Sequence, residues 1–239
     1  SYNDQFFGEF VFINGDGNII ASINAYNIGQ NNATLDIYEW NGTSWVSKGS
    51  RNVRSGSDVD FNSSGDEIAI RLSNGDVQIF DCSNSNWIQL GSNITNPLVN
   101  GTSLALNSSG NTIVIGNEGG SSEKGYVNIF IYDGNDWVQK GDSVHENFYN
   151  DRFGWGVDIN NSGNRIAISA VDADSGNTLY DCGAVEIFEF SNNNWIKTQS
   201  FYGNDNDANL GTSMSLSSDG DNIVFSSNIN GATNNRSVR

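Results

Sequence analysis

The sequence predicts an all-β chain and, within that class, a β-propeller of four-stranded antiparallel blades. Three observations carry the prediction. A polar turn running into a short apolar strand occurs five times: NGDGNIIASI from Asn14, NSSGDEIAIR from Asn62, NSSGNTIVIG from Asn107, NNSGNRIAIS from Asn160 and SSDGDNIVFS from Ser217. The central glycines, Gly17, Gly65, Gly110, Gly163 and Gly220, are 48, 45, 53 and 57 residues apart, a period typical of repeat architectures. With one proline and 27 glycines, the turns are built from Gly, Asn, Asp and Ser, residues that tolerate positive φ or bond their own backbone.

Each repeat divides into four short strands. The first alternates apolar and polar residues: FGEFVFI from Phe7, SDVDF from Ser57, TSLAL from Thr102, FGWGVDI from Phe153 and LGTSMSL from Leu210. After the glycine turn, the second strand is continuously apolar (Ile68–Ile70, Ile113–Ile115, Ile166–Ile168, Ile223–Phe225), as expected of a strand covered on both faces. A variable loop leads to the third strand: LDIYEW from Leu35, VQIFD from Val77, VNIFIY from Val127 and VEIFEF from Val185. The fourth begins with tryptophan: WVSKGS at Trp45, WIQLGS at Trp87, WVQKGD at Trp137 and WIKTQS at Trp195. Tryptophan recurring at one strand end predicts a seal between an edge strand and its neighbour rather than a row of ligand platforms. Trp40 and Trp155 fall outside that register.

A sheet with two apolar faces cannot bury both alone, so copies cover one another; that is the physical meaning of the repeat. Residues 4–50, 51–92, 93–143 and 144–200 form complete repeats and 201–239 a partial one, which stops at NNRSVR where a third strand should begin. The chain is therefore expected to be a single propeller domain over 1–239, or a fragment of a longer propeller with more blades.

Composition narrows the function. A net charge of −17 repels phosphate backbones and anionic lipid surfaces, which argues against nucleic-acid and membrane-surface partners. No apolar run approaches the ~18 residues of a membrane helix. Cys82 and Cys182 are too few for a disulfide scaffold and lack metal-ligand spacing. Cys82 follows the third strand of its repeat and Cys182 precedes the third strand of another, so no bridge between them is expected.

The run DRFGWGVDINNSGNRIAISAVDADSG with GAVEIFEFSNNNWIKT, over 151–197, resembles the FG-GAP-like propeller repeats of large secreted and surface proteins of marine microbes, and more distantly the integrin α-subunit propeller. The Phe-Gly pair stands as Phe7-Gly8 and Phe153-Gly154, is altered to Leu210-Gly211, and is missing from the second and third repeats. The resemblance implies a propeller fold and a secreted or cell-surface location. Integrin-type turns chelate calcium through a D-x-D-x-D-G loop, but NSSGD, NSSGN and NNSGN supply at most one carboxylate where calcium takes about six to eight oxygens. These turns are expected to be tight hairpins with Asn and Gly at positive φ.

Acids spaced two apart leave weak calcium candidates at Asp172 and Asp174 (DADSGN) and at Asp205 and Asp207 (NDNDAN); no other cofactor is implied. His145, the single histidine, sits in DSVHENF without a nucleophile motif, so no catalytic residue is assigned. Among the Asn-x-Ser/Thr sequons, Asn62, Asn107 and Asn160 open the repeated turn and are read as structural; Asn32, Asn93, Asn100 and Asn235, in longer loops, are the glycosylation candidates. The expectation is a non-enzymatic extracellular scaffold, adhesion or binding module whose partners are other extracellular proteins or glycans. Binding would use the loops Ala25–Asn32, Glu118–Lys124 and Ala170–Tyr180. A propeller glycan hydrolase and a calcium-dependent lectin are the alternatives.

Overall fold

The computed structural model describes residues 5–26, 33–53, 58–72, 74–84, 86–95, 103–119, 124–145, 150–176 and 178–228. These residues contain no helix: the chain is all-β, with four sheets of at least four antiparallel strands and one two-stranded hairpin. It divides into two compact units, Ser1–Pro97 and Leu98–Arg239, with the boundary near the start of the third repeat.

In the first unit, sheet A joins β1 (Gln5–Ile13), β2 (Ile19–Tyr26), β3 (Ala33–Trp40) and β4 (Trp45–Val53) in sequence order. Sheet B joins β5 (Val59–Phe61), β6 (Glu67–Arg71), β7 (Val77–Asp81) and β8 (Ile88–Gln89). In the second unit, sheet C holds β9 (Leu104–Leu106), β10 (Thr112–Asn117), β11 (Tyr126–Tyr132) and β12 (Trp137–Gln139), with β13 (Val144–His145) also pairing β11. Sheet D holds β14 (Phe153–Ile159), β15 (Arg165–Ala170), β16 (Ala184–Ser191) and β17 (Asn194–Tyr202), and β18 (Met214–Leu216) with β19 (Ile223–Phe225) forms the hairpin E.

The alternating and apolar runs thus lie where the sequence places strands. The second strands β6, β10 and β15 bury their central residues on both faces, whereas β19 leaves Val224 exposed. The fourth strand departs from expectation. It is continuous in sheets A and D, with a bulge opposite Ile37/Tyr38 and Ile187/Phe188. In sheet C it breaks after Gln139 and resumes at β13; in sheet B it ends at Gln89 and returns only as a bridge between Val77 and Ile94. Gly91 and Gly141, both at positive φ, stand at the two breaks. His145 accordingly lies in a strand beside Tyr126.

Consecutive sheets within a unit share their cores. Ile19, Ala21, Ile23, Leu35 and Ile37 of sheet A pack with Val59, Phe61, Ile68, Ile70 and Phe80 of sheet B. Ala105, Val114, Val127 and Ile129 of sheet C do so with Phe153, Ile159, Ile166, Ile168 and Phe188 of sheet D. Each sheet therefore removes its neighbour's branched side chains from water, worth about 25 cal/mol per Å² buried.

The five turns have one geometry. In each, the opening residue donates its backbone N–H to the carbonyl five residues on, and the glycine three residues on donates back, from Asn14 with Ile19 and Gly17 through to Ser217 with Asn222 and Gly220. The glycines take φ between 68° and 82°, but the asparagines do not sit at positive φ as expected. Their side chains are buried instead. The Oδ1 of Asn14 accepts from Asn18 N and Ile19 N, that of Asn62 from Asp66 N and Glu67 N, and that of Asn160 from Asn164 N and Arg165 N. The Nδ2 of Asn62 donates within its own turn, to Ser64 and Glu67, but the other three reach out of the sheet. Asn14 donates to Ser63 O at 3.2 Å, Asn107 to Asn161 O at 3.3 Å and Asn160 to Asp219 O at 3.4 Å, each acceptor lying in the same turn of the following repeat.

That close approach adds a second reason for glycine. A Cβ on Gly65 would lie 2.7 Å from Ile19 Cδ1 and 3.2 Å from Asn14 Nδ2, whereas one on Gly17, at nearly the same φ, would meet nothing within 4 Å. Gly17→Ala is therefore expected to cost only the left-handed backbone, about 1 kcal/mol, and Gly65→Ala about 2–3 kcal/mol, read from urea unfolding of the two variants. Equal losses would mean the turns do not touch.

The Phe-Gly pair of β14 also acts between sheets. The register slips between Phe153 and Val157, Phe153 is fully buried, and Gly154 carries the bulged backbone against β10, where a Cβ would lie 2.9 Å from Asn117 N. Hairpin E is tied to sheet D by Asp158, whose carboxylate accepts from Leu216 N at 2.6 Å and from Ile159 N at 2.8 Å. Burial pushes the Asp158 carboxyl above the ordinary aspartate range, against the opposing pull of those N–H donors. A raised folded-state pKa adds stability that is complete below the unfolded aspartate value of about 3.9 and fades as pH rises through the folded value. The stability advantage of the wild type over Asp158→Asn is thus expected to grow as pH is lowered from 7 to 4. Unfolding midpoints across that range test it, and an advantage that shrinks would contradict dominance by burial.

Candidate functional site

The loops that follow second strands carry the sequence-level expectation of binding. Of Ala25–Asn32 only the backbone of 25 and 26 lies within the described residues; the segments around Glu118 and Ala170–Tyr180 are described more fully. In the second unit they converge with the lead-in to β14 and the loop before β18.

Arg152 stands at the centre. Its Nε lies 2.8 Å from Glu118 Oε2 and 3.8 Å from Asp172 Oδ2, and its guanidinium stacks 4.1 Å from the centroid of Trp155. Trp155 Nε1 donates to Thr212 O at 3.4 Å, and Asn209 Nδ2 donates to Val171 O and to Asp172 Oδ1. Glu118 is nearly buried while Arg152 and Trp155 remain half-exposed, so the pair offers solvent a fixed planar cation on an indole. Burial pushes the Asp172 carboxyl up, and the Arg152 charge opposes that rise.

The backbone here is held in sparsely populated conformations. Asn150, Arg152, Asp181, Asp207 and Asn209 all take positive φ, and cross-loop bonds fix them: Asp172 N to Asp151 O, Asp207 N to Tyr180 O and Asn209 N to Asp181 O. Non-glycine residues in this region store about 1–3 kcal/mol each and persist only where the surroundings over-determine them.

Two of the four calcium candidates meet protein partners. Asp172 is engaged by Arg152 and Asn209, and Asp174 Oδ1 accepts from Asp181 N at 2.9 Å; Asp205 and Asp207 are exposed. Among the described residues no group of three or more His, Cys, Asp or Glu is placed to hold a metal ion. Asp151, Asp174, Glu186 and Tyr202 do line a cavity, but it measures about 30 Å³, room for a water and not for a sugar ring. Glu186 is ion-paired there with Lys197 at 2.9 Å.

Both cysteines are free and buried, Cys82 donating to Gly65 O and Cys182 to Ala173 O. Burial raises both thiols, Cys82 to about 12, so neither is a poised nucleophile. Asn62, Asn107 and Asn160 are buried as structural residues. Asn93 is exposed, with its Oδ1 accepting from Gln78 and Gln89; Asn32, Asn100 and Asn235 lie outside the described residues. The Arg152 cluster had only a weak sequence signal, the DRFGW run, because its partners stand 34 and 20 residues away in the chain.

No protein-family profile matches the chain, and no curated protein matches it in sequence. Solved structures do. A functionally unknown protein from Desulfotomaculum acetoxidans DSM 771 is similar at a TM-score of 0.61 and 17% identity, covering 98% of this chain and 68% of that one. A putative 6-phosphogluconolactonase from Bacteroides fragilis NCTC 9343 gives 0.60 and 12%, covering 93% and 64%. Kuenenia stuttgartiensis hydrazine synthase gives 0.58 and 12%, covering 91% and 54%. At these identities the likeness is one of fold, and the chain spans between 54% and 68% of the length of these proteins.

Proposed function

We propose that the repeats are blades of a β-propeller that serves as a non-enzymatic scaffold or binding module of an extracellular or cell-surface protein, recognising glycans or other proteins through its rim loops. The buried asparagines, which tie the turn of the first repeat to that of the second, the third to the fourth and the fourth to the fifth, support the blade arrangement most directly. The binding surface is the Arg152–Trp155 face: a stacked guanidinium and indole on rigid, cross-bonded loops suit the hydroxyls and apolar faces of a glycan or a polar peptide. The resemblance of the 151–197 repeat to FG-GAP-like sequences supports the extracellular setting.

A glycan array probed with the wild type and with Trp155→Ala tests the reading. Retention on a defined set of glycans, weakened at least about tenfold in the variant with thermal stability kept, is the expected result. Hydrolysis of chromogenic glycosides, or a melting temperature that rises with calcium and falls with chelator, would instead support the hydrolase or the calcium-dependent lectin. Arg152→Ala should also lower stability by about 1–3 kcal/mol, because Glu118 loses its cation while remaining nearly buried. Urea unfolding reads that loss, and Arg152→Lys should recover only part of it.

A further inference from the structure

The charge of Arg152 is matched from within the protein. Its Nε is hydrogen-bonded to the nearly buried Glu118, and Asp172 stands next to that pair. The charges acting on the Asp172 carboxylate are Arg152, of opposite sign, and Asp181 and Glu118, of like sign. The guanidinium is thus outnumbered by carboxylates, on a chain of net charge −17. A carboxylate or sulfate brought to Arg152 would meet a negative surround.

The hydrogen-bonding capacity at this surface is that of a donor beside an acceptor. Arg152 bonds Glu118 through Nε, so its two Nη groups are the remaining donors. Asp172 Oδ1 accepts from Asn209 Nδ2 at 3.3 Å, whereas Oδ2 lies 3.8 Å from Arg152 Nε, beyond hydrogen-bond reach, and keeps acceptor capacity. The Arg152 and Asp172 side chains are 39% and 30% exposed, so solvent reaches both. Trp155, anchored through Nε1 to Thr212 O, adds apolar surface beside them. Two adjacent hydroxyls satisfy such a pair without carrying charge, one accepting from Nη and the other donating to Oδ2, and the C–H face of a sugar ring suits the indole.

We propose that the Arg152–Trp155 surface takes neutral saccharides with adjacent free hydroxyls, and that Asp172 determines this specificity by accepting from a hydroxyl and repelling uronate and sulfate groups. The inference rests on the binding role proposed above for this surface and narrows it to one ligand class. Selectivity here comes from an unfavourable charge against the wrong ligand as much as from bonds to the right one.

The test is a glycan array on which each backbone is present in a neutral, a uronate and a sulfated form, probed with the full chain in about 20 mM and about 200 mM salt. Neutral members should be retained at least about tenfold more than their charged counterparts, and their retention should change less than about twofold with salt. In Asp172→Asn the ratio of neutral to charged retention should fall at least about threefold. Because that readout is a ratio within one protein, partial unfolding of the variant lowers both halves and cannot produce it. Charged members retained as well as neutral ones, with retention falling as salt rises, or a ratio unchanged in the variant, overturns the inference and leaves glycan recognition standing. Retention of no glycan at all, as when the partner is a polypeptide, overturns both.

Discussion

Replacing Trp195 by alanine is expected to destabilise the second unit by about 3–5 kcal/mol, a large share of a domain's usual 5–15 kcal/mol. Trp195 is 6% exposed, and its ring meets Phe190 of the same sheet at 5.1 Å. Its Nε1 donates to Lys140 O at 2.8 Å, and Lys140 in turn reaches over the ring and donates to Gly163 O, so one indole joins the edge of sheet C to sheet D. The same motif position in sheet A gives the contrast. Trp45 is 41% exposed and packs at a tilt against Trp40, so Trp45→Ala should cost less than about 1 kcal/mol. Denaturant midpoints of the two variants measure the difference. Comparable losses would show that the tryptophans act within their own hairpins and not between sheets.

Asn160→Ala is expected to cost about 2–4 kcal/mol, although the residue lies in a turn where substitutions are usually tolerated. The change leaves the backbone N–H groups of Asn164 and Arg165 without their acceptor and removes the donor to Asp219 O. Asn160→Ser should recover about half of the loss, because serine can cap the turn from within, as Ser217 Oγ does for Asn222 N at 2.9 Å, but cannot span to the next turn. Thermal and urea unfolding of the alanine and serine variants read both effects. Full recovery by serine would reduce the asparagine to a local turn residue.

Strand positions were legible because they depend on local alternation. FGWGVDI is β14 residue for residue, and VQIFD is β7. The glycine turns were legible for the same reason, since a left-handed corner selects its residue locally. Partnership across the repeat was not. Nothing within NNSGN shows that Asn160 is buried and bonded to Asp219, 59 residues on, or that the glycines are pressed by the preceding asparagine. Trp40, which looked out of register, is the cross-strand partner of Trp45. Gly91 and Gly141 do not by themselves mark the breaks in the fourth strand, because Gly49 holds the same place in sheet A, which remains paired. The Arg152 cluster is assembled from three loops, each an ordinary polar stretch when read alone.

The central claim is that neighbouring sheets are stable as a coupled stack, joined by buried asparagines that reach from one turn to the next. Native-state hydrogen exchange on Asn107→Ala tests it most directly, because Asn107 lies in sheet C while its distant acceptor, Asn161 O, belongs to the turn of sheet D. The account predicts that amides of β10 and β15 lose protection together and by similar factors. Loss confined to β9, β10 and β11, with β14 and β15 unchanged, would contradict it.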